Sequence, residues 1–175
     1  YFECQLIHYS KEYDVAPEKL EGDKHDRPED LSHPYIQRDP DKCILCGLCV
    51  RICEEVVGST ALGLVNRGFD TLVAPALELP LQDTDCIACG QCVHVCPTGA
   101  LMEKMQICKQ IPFAEESTIT TCTFCGVGCQ QELTYKGDSL SRALPHNKRP
   151  EDALLCLNGR LGFGEIAKLD RLTMP

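Results

Sequence analysis

At 175 residues the chain holds one domain or two small ones, and its 14 cysteines are far more than ordinary usage supplies. A formal charge of −9 argues against a nucleic-acid partner, and no apolar run reaches the length of a membrane-spanning helix. Twelve of the 14 cysteines fall into three patterned quartets, which favours reduced, metal-binding thiolates in a reducing, cytoplasmic compartment over a secreted disulfide framework.

Both ends read as cut. The chain begins Tyr1-Phe2-Glu3-Cys4 and stops at Pro175, so an ordered portion of something longer is expected. Residues 1–15 place Cys4, Leu6, Ile7, Tyr9 and Tyr13 at spacings that suit a short helix. Read from spacing alone, Cys4 is either a lone buried thiol or the last ligand of a cluster whose other ligands precede Tyr1, and His8 is expected to be a partly exposed side chain. Residues 16–40 are polar and broken by Pro17, Pro28, Pro34 and Pro40; they read as an irregular linker in which neither His25 nor His33 is a ligand.

The organising feature follows. Cys43, Cys46, Cys49 and Cys53 form a C-x2-C-x2-C-x3-C run, and Cys86, Cys89, Cys92 and Cys96 repeat it 43 residues later. Four cysteines in eleven residues suit a [4Fe–4S] cubane, whereas zinc sites take ligand pairs separated by a longer spacer. In such paired runs the fourth cysteine ligates the other cluster. The expected sets are therefore Cys43, Cys46, Cys49 and Cys96 for one cluster, and Cys86, Cys89, Cys92 and Cys53 for its neighbour. Ile44, Leu45, Leu48, Val50, Ile87, Ala88, Val93 and Val95 are expected to wrap the clusters and exclude water. Gly47 and Gly90, each following the second cysteine of its run, let backbone approach the sulfurs.

Between the runs, Ala61–Asn66 and Phe69–Ala74 flank Arg67-Gly68 as a hairpin, and helical turns are expected after Cys49 and Cys92. Cys96-Pro97 closes the second run with a turn, but Glu54 follows Cys53 where a proline is usual. His94 reads as an outward-facing side chain, and Cys108, in the connecting segment Leu101–Phe113, as a free thiol. The third quartet is Cys122, Cys125 and Cys129, joined after 26 residues by Cys156. Leu133–Tyr135 and Leu140–Ala143 flank Lys136-Gly137-Asp138 as a second hairpin. Beside two cubanes, a third is the more economical occupant; zinc is the alternative.

This order of motifs resembles the electron-input portion of NAD-linked formate dehydrogenases, and more broadly the large iron–sulfur subunits of respiratory NADH dehydrogenase and electron-bifurcating hydrogenases. Asp41–Cys53 and its twin are similar to that family's dicluster domain. Thr121–Cys129 looks like the opening of the molybdopterin-dependent oxidoreductase domain, whose [4Fe–4S] cluster lies next to the pterin. The resemblance implies an α+β architecture: a dicluster ferredoxin-like domain over 41–113, then a small α/β [4Fe–4S] domain over 114–175. Residues 1–15 would end an upstream His/Cys cluster domain, with 16–40 as linker. It makes Cys4-Gln5-Leu6 similar to the end of that upstream site, and so makes Cys4 a ligand of a fourth cluster.

Asn158 and Arg160 are the candidate cofactor-contacting residues beyond Cys156. Formate dehydrogenases usually carry lysine where Asn158 stands, and asparagine cannot supply that charge, which argues against a molybdenum or tungsten pterin beside the third cluster. The expected protein is an electron conduit with no catalytic residue of its own. It would relay electrons between a flavin and NAD(P)H subunit and a catalytic partner, in a multi-subunit hydrogenase or related electron-bifurcating complex. The alternative is the amino-terminal part of a formate dehydrogenase catalytic subunit.

Overall fold

The computed structural model of the chain describes residues 4–16, 22–104, 116–146 and 154–166. They belong to two compact units, one formed by residues 1–86 with 91–104, the other by 87–90 with 105–175. The architecture is α+β in both, built from short elements.

In the first unit, α1 (Gln5–Glu12) fits the helix expected near the amino terminus. The stretch expected to be an irregular linker contains a strand, β1 (Ile36–Arg38). The strand is only three residues long, yet Ile36 is buried and Arg38 exchanges backbone hydrogen bonds with Asp30, at 3.0 and 2.7 Å. Helix α2 (Leu48–Arg51) starts directly after Gly47, whose left-handed φ of +74° turns the chain into the helix. It passes into a π-helix over Ile52–Val57, ended by Gly58 at φ +73°. Strands β2 (Gly63–Val65) and β3 (Leu72–Ala74) form the expected antiparallel hairpin, with Val65 opposite Leu72. The strands are shorter than the sequence suggests, because Gly68–Asp70 form a 3-10 turn and Phe69 lies in the loop. Helix α3 (Gln91–His94) and strand β4 (Leu101–Glu103) complete the unit. Strand β4 pairs antiparallel with β1, Arg38 opposite Leu101, so the supposed linker closes the unit against its last strand.

The core gathers Ile36, Cys49, Ala61, Leu62, Val73, Leu81, Cys92 and Leu101, with Cys43, Cys53, Cys86 and Cys96 packed against it. Thiols and aliphatic side chains share one apolar interior. The segment before β1 is anchored by side chains: His25 stacks on Phe69 with ring centroids 4.0 Å apart, and Arg27 donates to the Asp70 and Thr71 carbonyls. His33 is buried, and its Nδ1 accepts from the backbone N–H groups of Tyr35 (3.2 Å) and Ile36 (3.1 Å). Burial holds its pKa below the ordinary histidine value, aided by Lys104 and opposed by Asp30.

The second unit is a three-stranded antiparallel sheet of β5 (Glu116–Thr121), β6 (Gln130–Lys136) and β7 (Ser139–Pro145), with helices α4 (Leu157–Leu161) and α5 (Phe163–Ile166). The β6–β7 hairpin turns at Gly137-Asp138 as expected, while β5, a polar run, had no strand assigned from sequence. Ala143, Leu155, Leu161 and Phe163 are buried. Gly162 has no room for a Cβ: one built there would lie 2.4 Å from the Phe124 ring and 2.5 Å from the Asn158 carbonyl oxygen. Cys108 lies outside the described residues. Among the described residues no helix is long and apolar enough to cross a membrane.

Because folded His33 is held neutral, its contribution is complete above the ordinary histidine pKa of about 6.5 and is lost as pH falls below that value and through the folded pKa. Hydrogen exchange at Ile36, corrected for intrinsic rate, should therefore accelerate on acidification below about pH 6.5. In His33→Ala it should be fast at every pH, with a stability loss of about 1–3 kcal/mol from the orphaned N–H groups. Gly162→Ala should cost about 1–3 kcal/mol by overpacking, visible as a lowered melting temperature, with the smaller Phe124→Ala side chain relieving part of the clash.

Candidate metal centres

Cys43, Cys46, Cys49 and Cys96 line one cavity together with Arg38, Gly47, Val73, Pro97, Thr98 and Leu101. Three of these cysteines come from the first run and one from the end of the second, which is the set the crossed pattern calls for. Burial pushes the Cys49 thiol up to about 12, and the nearby Cys43, Cys96 and Cys46 push the same way. Cys43 is raised too, by burial and by Cys96 and Cys46, against the pull of the Leu45 N–H and the Arg38 charge. A cationic centre in the cavity would reverse that penalty on Cys43 and Cys49 by stabilising their thiolates. Among the described residues no three or more His, Cys, Asp or Glu side chains are arranged to hold a metal ion. Thiolates on a cubane bind four separate irons and need not converge on one point.

The backbone provides an independent test of fit. Leu45 and Gly47 flank Cys46 at φ +55° and +74°; Ala88 and Gly90 flank Cys89 at +53° and +69°. Left-handed residues on either side of a cysteine, repeated in both loops, are the kind of backbone that forms concave N–H nests for anionic groups including iron–sulfur clusters. The Leu45 N–H already donates to the Cys43 Sγ at 3.4 Å. The residues present fit a [4Fe–4S] group. Part of the expected wrapping is corrected, however: Ile44, Leu45, Leu48 and Ile87 are exposed, while Ala88 is buried and Val50, Val93 and Val95 pack on the core. Ile44, although half exposed, also lines the cavity of the first set.

Of the second set, Cys53, Cys86 and Cys92 share the core of the first unit, whereas Cys89 sits on the 87–90 loop that belongs to the second unit. Ser59 ties the two runs together. Its N–H donates to the Cys53 carbonyl at 3.0 Å and its hydroxyl to the Asp85 carbonyl, next to Cys86, at 2.6 Å. With no proline after Cys53, the helix continues through Glu54 to reach this contact; in the second run α3 ends at His94, ahead of Cys96-Pro97. The sequence held no signal for Ser59.

Strands β5 and β6 bring Cys122 and Cys129 together at the base of their loop. The Cys122 N–H donates to the Cys129 carbonyl at 2.8 Å, one rung beyond the Thr121–Gln130 pair, and Cys125 is exposed within the loop. Cys156 leads directly into α4, and a Cβ placed on Gly159 of that helix would lie 3.6 Å from the Cys122 Sγ. The absent side chain brings the helix close to the first cysteine. Arg160 is 2% exposed, its N–H bonded to the Cys156 carbonyl at 3.0 Å, and its Cδ lies 2.6 Å from where a Cβ on Gly90 would stand. Asn158 is exposed, so the two candidate cofactor contacts occupy different environments. Cys4 is half-buried at the start of α1, where the neighbouring Gln5 N–H donates to the Pro97 carbonyl at 2.9 Å, one residue beyond Cys96. His8 and His94 are exposed.

Comparison with known proteins agrees with this geometry. Residues 33–102 match the ferredoxin-like domain of NADH-quinone oxidoreductase subunit 3, and residues 115–168 match the molybdopterin oxidoreductase Fe4S4 domain. The chain is 38% identical over 142 residues to the NADPH-Fe(3+) oxidoreductase subunit alpha of Geobacter sulfurreducens, covering 81% of this chain and 16% of that protein. It is 37% identical over 177 residues to an NADH-quinone oxidoreductase subunit of Rhizobium meliloti, covering 99% of this chain and 20% of that protein. An NAD+-reducing [NiFe]-hydrogenase in the H2-reduced state shares its fold with a TM-score of 0.56 and 31% identity, over 63% of this chain and 47% of that one. This chain thus spans 16% and 20% of the two relatives from Geobacter and Rhizobium. With the two matched domains in the order the motifs required, the chain is an iron–sulfur electron-transfer segment similar to parts of NADH-quinone oxidoreductase, formate dehydrogenase and NADP-reducing hydrogenase subunits.

Proposed function

We propose that the segment carries three [4Fe–4S] clusters, held by Cys43, Cys46, Cys49 and Cys96; by Cys86, Cys89, Cys92 and Cys53; and by Cys122, Cys125, Cys129 and Cys156. The observation that carries the reading is the convergence of the first set, from two runs 43 residues apart, on one cavity. A cubane supplies reversible one-electron chemistry, and the protein's part is to position it, desolvate it and set its potential. The left-handed residues around Cys46 and Cys89 suit backbone donors to an anionic group, and the aliphatic core removes water from one side of each site. Ser59 fixes the approach of the two runs.

Cys4 ligates a fourth cluster completed by residues upstream. Its neighbour Gln5 is bonded beside Cys96, which supports an entry point at the cluster ligated by Cys96. The segment passes electrons between a flavin and NAD(P)H subunit and a catalytic partner in a cytoplasmic multi-subunit complex, which we infer to be a hydrogenase. Asn158, where formate dehydrogenases usually have lysine, favours that partner. The match of 115–168 to a molybdopterin oxidoreductase domain favours the second reading, a formate dehydrogenase catalytic subunit.

Metal analysis of the intact complex, purified without oxygen, separates the two. About sixteen iron atoms per chain beyond the partners' own are expected, twelve from the three cubanes and four from the cluster that Cys4 shares. Nickel, or iron in further excess, supports hydrogenase, and stoichiometric molybdenum or tungsten supports formate dehydrogenase. Cys53→Ser should damage the electron paramagnetic resonance signal of the cluster on Cys86, Cys89 and Cys92 and leave that of the other dicluster site; the reverse pattern refutes the crossing.

A further inference from the structure

We propose that Arg38 sets the potential of the cluster held by Cys43, Cys46, Cys49 and Cys96, by donating its Nε–H to a sulfur of that cluster. The proposal rests on the cluster reading above and deepens it. Arg38 lines the same cavity as the four cysteines. Its side chain is 13% exposed and held at both ends of the guanidinium: Nη1 donates to the Val73 carbonyl at 2.7 Å, and Nη2 to the Asp30 carboxylate at 3.0 Å. Its main chain is fixed as well, by the paired bonds to Asp30 and by the β1–β4 ladder. That leaves Nε, which is buried and has no acceptor within the described protein. Folded proteins rarely bury a guanidinium N–H without an acceptor, and arginine cannot shed the proton to escape the cost. A cluster sulfur, thiolate or sulfide, is an anionic acceptor of the kind this donor lacks.

The consequence is electrostatic. Hydrogen bonds to the sulfurs and nearby positive charge favour the reduced, more negative state of a cluster. Asp30 moderates the charge. Burial alone would raise its carboxyl pKa, but hydrogen bonds from Ser32 and Arg38 and the arginine's charge hold it below the usual range, so it stays ionised beside the guanidinium. The Nε–H bond and the net field are therefore separable by substitution. Arg38→Gln removes both, Arg38→Lys keeps the charge but not the Nε donor, and Asp30→Asn removes the opposing charge while keeping the donor.

The test is a redox titration of the intact complex followed by electron paramagnetic resonance, with the cluster's signal identified by its loss or change in Cys46→Ser. Arg38→Gln should keep its iron and lower the reduced-to-oxidised ratio of this cluster about tenfold at fixed potential, a shift of about 59 mV for one electron. Arg38→Lys should shift the same way by less, and Asp30→Asn the opposite way. Should Arg38→Gln lose its iron, the opposite shifts of Arg38→Lys and Asp30→Asn still support the proposal. It is overturned if the iron-retaining arginine variants titrate like the wild type, or if Asp30→Asn shifts in the same direction as they do, since either outcome leaves Arg38 as a mount for β1 alone. Should Cys46→Ser alter no cluster signal, the cavity holds no cluster, and the reading beneath the proposal fails with it.

Discussion

Everything in the first unit depends on bringing sulfurs from two distant loops to one place. Cys43, Cys46 and Cys49 are local to each other, but Cys96 is 43 residues past its counterpart in the first run, Cys53, and must come back to them. The return is organised by β4 meeting β1, and by the Asp39 N–H donating to the Ala100 carbonyl at 2.7 Å. Those contacts are few, and the core they close is made partly of the cysteines themselves. The aliphatic core of Ile36, Ala61, Leu62, Val73, Leu81 and Leu101 is therefore continuous with the cysteines proposed to hold the clusters. Small domains of this kind draw much of their stability from metal–thiolate bonds, so binding and folding are one equilibrium.

The same constraint explains the backbone strain. Leu45 and Ala88 adopt left-handed φ, which costs a residue with a Cβ about 1–2 kcal/mol. Their recurrence at matching positions in both runs identifies a requirement of the loop rather than an accident of either one. A concave nest of N–H groups is favourable around a concentrated negative charge, and a cluster with four thiolates supplies it. The cost is also why glycine occupies the position after each second cysteine, while the position before it tolerates leucine or alanine only because the surrounding turn enforces the geometry.

What the sequence made legible was chemistry with a fixed spacing. The three quartets, both hairpins and the amino-terminal helix could be read because cysteine intervals, turn residues and apolar periodicity are local signals. Strand β1 could not: Ile-Gln-Arg between two prolines is too short to show alternation, and it becomes a strand only because Leu101–Glu103 lies opposite. Strand β5, Glu-Ser-Thr-Ile-Thr-Thr, is polar and largely exposed, so its pairing with β6 is set by register from the Cys122–Cys129 loop rather than by burial. Ser59, His33 and Arg38 were invisible for a related reason. Each acts through backbone or side-chain partners that no motif announces. The expectation that Ile44, Leu45, Leu48 and Ile87 exclude water failed because it used hydrophobicity without direction: all four are exposed, although Ile44 also lines the cysteine cavity.

The exposed Ile44 and the buried Arg38 both line the cavity of Cys43, Cys46, Cys49 and Cys96. On the β1 side, Arg38 is fixed among Asp30, Val73 and the sheet, with little water to screen its charge. Cys46, by contrast, is exposed among Ile44, Leu45 and Leu48, where solvent or a covering protein surface sets the local dielectric. Polar surroundings stabilise the more highly charged, reduced state, and apolar cover withdraws that stabilisation. The fixed donor and the changeable surface therefore differ in kind. Arg38 is held by contacts within the first unit, whereas Cys46 is exposed and its surroundings change if a partner covers it. A cluster in contact with both has a potential that the fold sets and its surroundings adjust.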